Sequence, residues 1–177
     1  MSDNRRRIVL VSGAPGAGKT TLAVPLATRL GFPLFCKDFI KETLTDALGD
    51  SGGDLAASRR IGGAAMELLW SLARHAPHAV LEANFRPRSA YERDKLAGLD
   101  AVIVEVHCDC GPNETARRFR NRAAASAHHA AHPLKELPPD MLAEYAGPVG
   151  LGAVVAVDTR MPVDLERLVA EVSSALS

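Results

Sequence analysis

The sequence predicts an α/β protein built on a doubly wound, parallel, five-stranded sheet. Three observations predict it. Short apolar runs alternate with longer helical patterns along the chain, and parallel strands need helical crossovers that cover both faces of the sheet. The first apolar run, Ile8-Val9-Leu10-Val11, leads into Gly13-Ala14-Pro15-Gly16-Ala17-Gly18-Lys19-Thr20 and then into a helical pattern. That is the phosphate-loop pattern G-x-x-x-x-G-K-[ST] in its strand–loop–helix setting. No internal repeat or linker interrupts the alternation, so residues 1–177 read as one domain.

The elements follow in order. Strand one covers residues 7–12 and the next helix 18–30, with Pro25 expected to bend it slightly. Residues 33–36 form a short second strand, and 38–48 a helix closed by Gly49-Asp50-Ser51-Gly52-Gly53. A long helix over 55–75 has apolar residues at Ile61, Ala64, Ala65, Leu68, Leu69 and Leu72. Trp70 is expected in the core or at its rim. Strand three is 79–84, a helix covers 89–97, and strand four is 101–107. Asn113 or Pro112 begins a further helix that runs to about 125. Residues 126–139 are loop-like, 140–145 a short helix, 154–158 strand five and 162–175 the closing helix.

The phosphate loop carries the clearest chemistry. Its glycines let backbone N–H groups wrap phosphate oxygens, and the new helix adds its positive end. Gly13, Ala14, Pro15, Gly16, Ala17 and Gly18 form the cradle, with Lys19, Thr20 and Thr21 at the helix start. Lys19 is placed to reach the β- and γ-phosphates, and the Thr20 hydroxyl to hold Mg²⁺. The ligand expected is a nucleoside triphosphate.

Bulk composition narrows the partners. Hydrophobic residues make up 47% and charged residues 24%, an ordinary globular balance. Acidic and basic residues number 21 each, so the basic excess of a nucleic-acid binder is missing. Three cysteines, Cys36, Cys108 and Cys110, do not suggest a disulfide framework. Cys36 and Cys108 fall in strands, where cysteine is most often a small core residue. No apolar run nears the ~18 residues of a membrane span, and the short run after Arg5-Arg6-Arg7 is no signal peptide. A cytoplasmic location is expected.

Ligands of open α/β sheets gather at the carboxyl ends of strands. Asp38 follows the second strand there. It suits two roles, proton acceptor for an attacking hydroxyl and helix N-cap. Lys37 reads as a solvated side chain with an option on substrate. Glu82 interrupts an apolar strand where phosphate-loop proteins carry a carboxylate that orients Mg²⁺; a buried, paired glutamate is the alternative. Asn84 and Arg86 lie at the same strand mouth as candidate substrate contacts, with Arg88 beside them. Arg117, Arg118, Arg120 and Arg122 crowd one helix, and Arg118 and Arg122 share a face at i, i+4. Arginines entering a His/Pro-rich loop read as a lid over residues 112–140 that stabilises phosphoryl charge. His128, His129 and His132 match no established metal spacing. Thr159 and Arg160 stand at the fifth strand's mouth, where a base would lie.

Together the stretches GAPGAGKTT, KDFIKETL, VLEANFRP, VHCDCGPNETARRFRNR and AVDTRMPVD resemble a group of small phosphate-loop kinases. The group includes zeta toxins, chloramphenicol phosphotransferase and the kinase domain of polynucleotide kinase, ATP-binding proteins of the AAA type. The resemblance implies the phosphate-loop nucleoside triphosphate hydrolase fold with strand order 2-3-1-4-5. It implies transfer of the ATP γ-phosphoryl group, with Mg²⁺, to a hydroxyl. It puts Asp38 at the acceptor-activating position, Arg118 and Arg122 at lid positions and Thr159-Arg160 near the adenine; with Lys19 of the phosphate loop, Asp38, Arg118 and Arg122 are the catalytic candidates. Where related sequences carry Arg-His-Pro-x-His, this chain has His128-His129-Ala130-Ala131-His132.

The expected function is an ATP-dependent kinase for a small molecule: a nucleoside, sugar or antibiotic-like acceptor. The alternatives are a polynucleotide 5′-hydroxyl kinase and a non-catalytic ATP-binding regulatory module. Neither Asn-Lys-x-Asp nor a strand-borne Asp-x-x-Gly is present, so a GTPase is not indicated. Acceptor specificity is expected in the least patterned segments, 39–66 and 126–148.

Overall fold

A computed structural model describes residues 5–49, 54–125 and 128–177. The elements run β1 (Arg6–Ser12), α1 (Lys19–Leu30), β2 (Leu34–Cys36), α2 (Lys37–Ala47), α3 (Leu55–His75), β3 (His78–Glu82), α4 (Ala90–Ala97), β4 (Ala101–Asp109), α5 (Pro112–Ala124), α6 (Pro139–Glu144), β5 (Ala153–Asp158) and α7 (Leu165–Ala175). The sheet has five strands in the order β2-β3-β1-β4-β5, and all four pairings are parallel. The expected fold class and order are both found. Most of the expected glycine turn at 49–53 lies outside the described residues.

Period-two alternation sends successive side chains to opposite faces. Val9 and Val11 of β1 join Leu22, Leu26 and Val172 on one face. Ile8 and Leu10 join Leu69, Trp70 and Phe85 on the other. Trp70 is fully buried, against the Phe85 ring at 5.6 Å. It belongs to the core rather than the rim.

Caps and pairing adjust the expected ends. Asp54, Ser89 and Asp164 cap α3, α4 and α7 with side-chain acceptors. Gly111 occupies the N-cap of α5 and Pro112 the first turn, so Asn113 is already helical. β4 runs on to Asp109 because Cys108 and Asp109 still pair with Val157 and Asp158 of β5. α1 continues through Pro25.

Register brings the site together. Glu82 is level with Val11 of β1 and with Cys36 of β2. The carboxyl ends of three strands therefore open at one height, where the phosphate loop leaves β1.

Candidate active site

The loop backbone depends on glycine at two close approaches. Gly13 has φ +129°, and a Cβ there would lie 2.2 Å from the Cys108 carbonyl oxygen. Gly16 has φ +97°, and its Cβ would meet the Thr115 carbonyl oxygen at 2.7 Å. Gly16 therefore lets α5 pack backbone-close to the loop. Lys19 is 6% exposed and donates to the Ala14 carbonyl at 2.9 Å. Burial pushes its pKa down, while Glu82 and Asp38 pull it up.

Glu82 has the surroundings of the buried, paired alternative. It is buried and paired, but its partners are at the site. Its Oε2 accepts from Thr20 Oγ1 at 3.3 Å and from Cys36 Sγ at 2.7 Å. Cys36 is thus half-buried at the site rather than in the core, and burial beside Glu82 pushes its thiol up to about 12. Thr20 and Glu82 present hard oxygen donors, the chemistry that suits Mg²⁺.

A second buried strand glutamate, Glu105, is fully satisfied elsewhere. It accepts from Ser12 Oγ at 2.5 Å and from the backbone N–H groups of Val149 and Gly150 at 3.0 and 2.8 Å. It ties the 149–150 loop to the sheet.

Asp38 is not the N-cap of α2; Cys36 holds that position, and no side chain caps the helix. Asp38 lies in the first turn. Lys37 donates to it at 3.0 Å, so Lys37 is not the solvated side chain expected. Burial works to raise the Asp38 pKa. The charges of Lys37, His132 and Lys19 outweigh it and hold the carboxyl at about 2.

The α5 arginines separate by position. Arg118 donates to Glu114 at 2.6 Å and to the Thr159 carbonyl at 3.1 Å. Its Nη1 lies 3.6 Å from a Cβ built on Gly18. Thr159 in turn donates to the Ala17 carbonyl at 2.7 Å, which closes that end of the loop. Arg160 forms an exposed pair with Asp158. Arg122, one turn beyond Arg118, stacks over Phe119 at 5.6 Å and lines the cavity that holds Asp38. Arg117 is bound to Glu114.

That cavity measures about 700 Å³. It begins at Pro15 and Asp38 and extends between α2, α3 and the 128–145 segment. Asn84 and Arg86 both line it. Arg86 also pairs with Glu144 at 3.1 Å and lies over the Tyr145 ring. The histidine run docks on α2. His132 Nε2 meets Glu42 at 2.8 Å and His129 Nε2 meets Asp46 at 3.3 Å. Among the described residues no group of three or more His, Cys, Asp or Glu could hold a metal.

Sequence reasoning missed Lys41, Ser58, Arg59, Gly62 and Glu92, all of which line the cavity. One signal was present: two adjacent glycines, Gly62-Gly63, inside the apolar period of α3.

A gluconokinase from Gluconobacter oxydans (strain 621H) is 32% identical over 118 residues, which cover 66% of this chain and 65% of the relative. The match thus spans just under two thirds of that relative's length. A crystal structure of a candidate kinase from Chloroflexus aurantiacus J-10-fl superposes with TM-score 0.84 at 27% identity, covering 98% of this chain and all of that one. A sugar kinase from Janibacter sp. HTCC2649 superposes with TM-score 0.63 at 22% identity over 97% and 94% of the two chains, a likeness of fold. All three are named as kinases; the sequence resemblance therefore holds at the level of a small kinase and not specifically for the zeta-toxin, chloramphenicol phosphotransferase and polynucleotide kinase group. No helix among the described residues is long and apolar enough to cross a membrane. The AAA domain family model matches residues 8–148, most of the chain. With the phosphate loop and strands β2 to β4 inside that match, the chain belongs to the AAA domain family.

Proposed function

We propose that this protein is an ATP-dependent kinase that phosphorylates a hydroxyl group of a small molecule. The observation that carries the reading is one of position. Asp38 lines a cavity of about 700 Å³ that also reaches Pro15 of the phosphate loop, a volume that suits a small acceptor, and its charge acts on Lys19.

Each residue then has a task. Lys19 binds the β- and γ-phosphates. Thr20 and Glu82 would hold Mg²⁺, which supplies positive charge for the leaving phosphates. Arg118 and Thr159 face the nucleoside end, with Arg160 beside them. Asp38 orients the acceptor hydroxyl and accepts its proton. The acceptor oxygen bonds to the γ-phosphorus as the bond to the β-phosphate oxygen breaks, and ADP leaves with that electron pair. A carboxyl held at about 2 is a weak base toward a free hydroxyl, so it takes the proton late, as the bond to phosphorus forms and the hydroxyl becomes acidic. Residues 112–140 act as the lid, and Arg122 brings its charge over the transferring group. Asn84 and Arg86 contact the acceptor.

The gluconokinase relative supports phosphoryl transfer to a small molecule, and the Chloroflexus structure supports a kinase. The test is incubation with γ-labelled ATP and a panel of sugars, sugar acids, nucleosides and aminoglycosides. Label on a panel member supports the reading. Label released only as inorganic phosphate, unchanged by every acceptor, overturns it.

A further inference from the structure

We infer that Lys37, Lys41 and the notch left by Gly62 form a subsite for an anionic group, carboxylate or phosphate, carried by the acceptor. The inference rests on the kinase reading and specifies its substrate class.

Helix α2 is inside out for a helix that serves only the core. Phe39 is 69% exposed and Lys41 is 6% exposed. Burying an ammonium instead of an aromatic ring works against the hydrophobic effect. Lys41 donates to Ser58 Oγ and to the Ala131 carbonyl, each at 2.7 Å. Both acceptors are neutral. The nearby carboxylates are engaged elsewhere, Asp38 by Lys37 and Glu42 by His132.

Lys37 lies one turn before Lys41, so two cations share one face. Burial first, and then Lys37, lower the Lys41 pKa to about 8. Across from them stands Gly62, in the interior of α3. A Cβ there would lie 3.8 Å from Lys41 Cε and 3.9 Å from Lys37 Nζ. Glycine weakens a helix interior, yet the space it leaves is bordered by two lysines. At Gly63 a Cβ would meet nothing within 4 Å. Arg59, one turn earlier on α3, lines the same cavity.

Two cations at an open notch attract an oxyanion. Because Lys37 also holds Asp38, an anion in the notch lies within one small molecule's length of the activating carboxylate. The acceptor class is therefore a hydroxy acid or a phosphorylated alcohol.

The test uses full-length protein loaded with AMP-PNP and Mg²⁺, which fills the phosphate loop. D-Gluconate, inorganic phosphate and neutral D-glucose are titrated by calorimetry. Gluconate or phosphate should bind at least ten-fold more tightly than glucose, and the tighter of the two assigns carboxylate or phosphate. Lys41→Met and Gly62→Leu should each weaken that anion about ten-fold or more. Gly62→Ala, whose methyl meets only ordinary contacts, should lose less and melt no lower than wild type. AMP-PNP affinity should stay within about two-fold. Equal anion binding in wild type and Gly62→Leu, or no preference over glucose, overturns the subsite. Label transfer from ATP to a neutral acceptor alongside such a result would leave the kinase reading standing. Anion binding lost in the variants but with no label transfer to any acceptor would keep the subsite and sink the kinase.

Discussion

On the proposed kinase reading the site has a nucleotide end and an acceptor end, and the two are built by different rules. At the nucleotide end the backbone does the shaping: Gly13 and Gly16 take left-handed conformations pressed against Cys108 and Thr115. At the acceptor end side chains do it. Lys41, Ser58 and His132 pin the 128–132 segment to α2 and α3 through bonds to Ala131 and Glu42. A backbone cradle tolerates few changes, because a side chain at Gly13 or Gly16 would collide with neighbouring backbone. A wall of side chains can be altered residue by residue, which is what acceptor specificity requires. The same contrast separates the two buried glutamates. Glu105 holds backbone amides of a loop and is structural, whereas Glu82 faces the Thr20 and Cys36 side chains of the site.

Substitutions at the two ends should therefore fail in different ways. The largest effect belongs to Lys19→Ala. It removes the charge that meets the phosphates, so transfer should be abolished while the circular dichroism spectrum stays that of wild type. A folded variant with wild-type turnover would erase the distinction between the two ends.

Asp38→Asn stands at their junction. It should keep nucleotide affinity and lower turnover by about 10²–10⁴-fold, the usual range for losing a positioned base. Loss within a few-fold would reduce Asp38 to an ion partner of Lys37. The low pKa also fixes a pH dependence. The Asp38 carboxyl is held at about 2, below its ordinary 3.8. Its contribution to stability is therefore present above about pH 4 and disappears as pH falls toward 2. Acid titration of Asp38→Asn should show a shallower loss than wild type in that window.

The arginines of α5 sharpen the comparison further. Arg122→Ala should lower kcat by about 10²–10³-fold, as removal of a single charge-stabilising donor does, and leave ATP affinity nearly unchanged. Arg118→Ala should weaken ATP binding a few-fold with little change in kcat, because Arg118 is tied to Thr159 at the nucleoside end. Separate measurement of Kd and kcat decides. Equal small losses in both would reduce α5 to a solvated basic helix.

A pH effect is confined to the acceptor end. Lys41 titrates at about 8, so the KM for an anionic acceptor should rise above pH 8, by up to about ten-fold per pH unit. Nucleotide affinity should stay level over the same range. In Lys41→Met the alkaline rise should vanish. The folded protein disfavours the charged form of Lys41, so this group makes stability increase as pH rises from about 8 toward 10.5.

How much of this was legible in the sequence follows from the same contrast. The phosphate loop could be read because its chemistry is set by local spacing. The strands and the Leu55–His75 helix could be read because period-two and period-3.6 burial leave local marks. The roles of Asp38 and Lys37 could be read only in part, since their pairing and depth depend on the 128–132 segment folding back over α2. Lys41 was not legible at all. A lysine beside an exposed phenylalanine reads as the solvated face of a helix, and only the packing of α2 on α3 reverses that assignment. Gly62-Gly63 was visible but carried no meaning until the two lysines were seen across from it.

One measurement reaches the central claim most directly: transfer of label from γ-labelled ATP to a small hydroxy acceptor, D-gluconate first, by wild type and by Asp38→Asn at matched nucleotide saturation. The account predicts a phosphorylated acceptor with wild type and a loss of about 10²–10⁴-fold with the variant. Label appearing only as inorganic phosphate across the acceptor panel, at the same rate in both proteins, would contradict it.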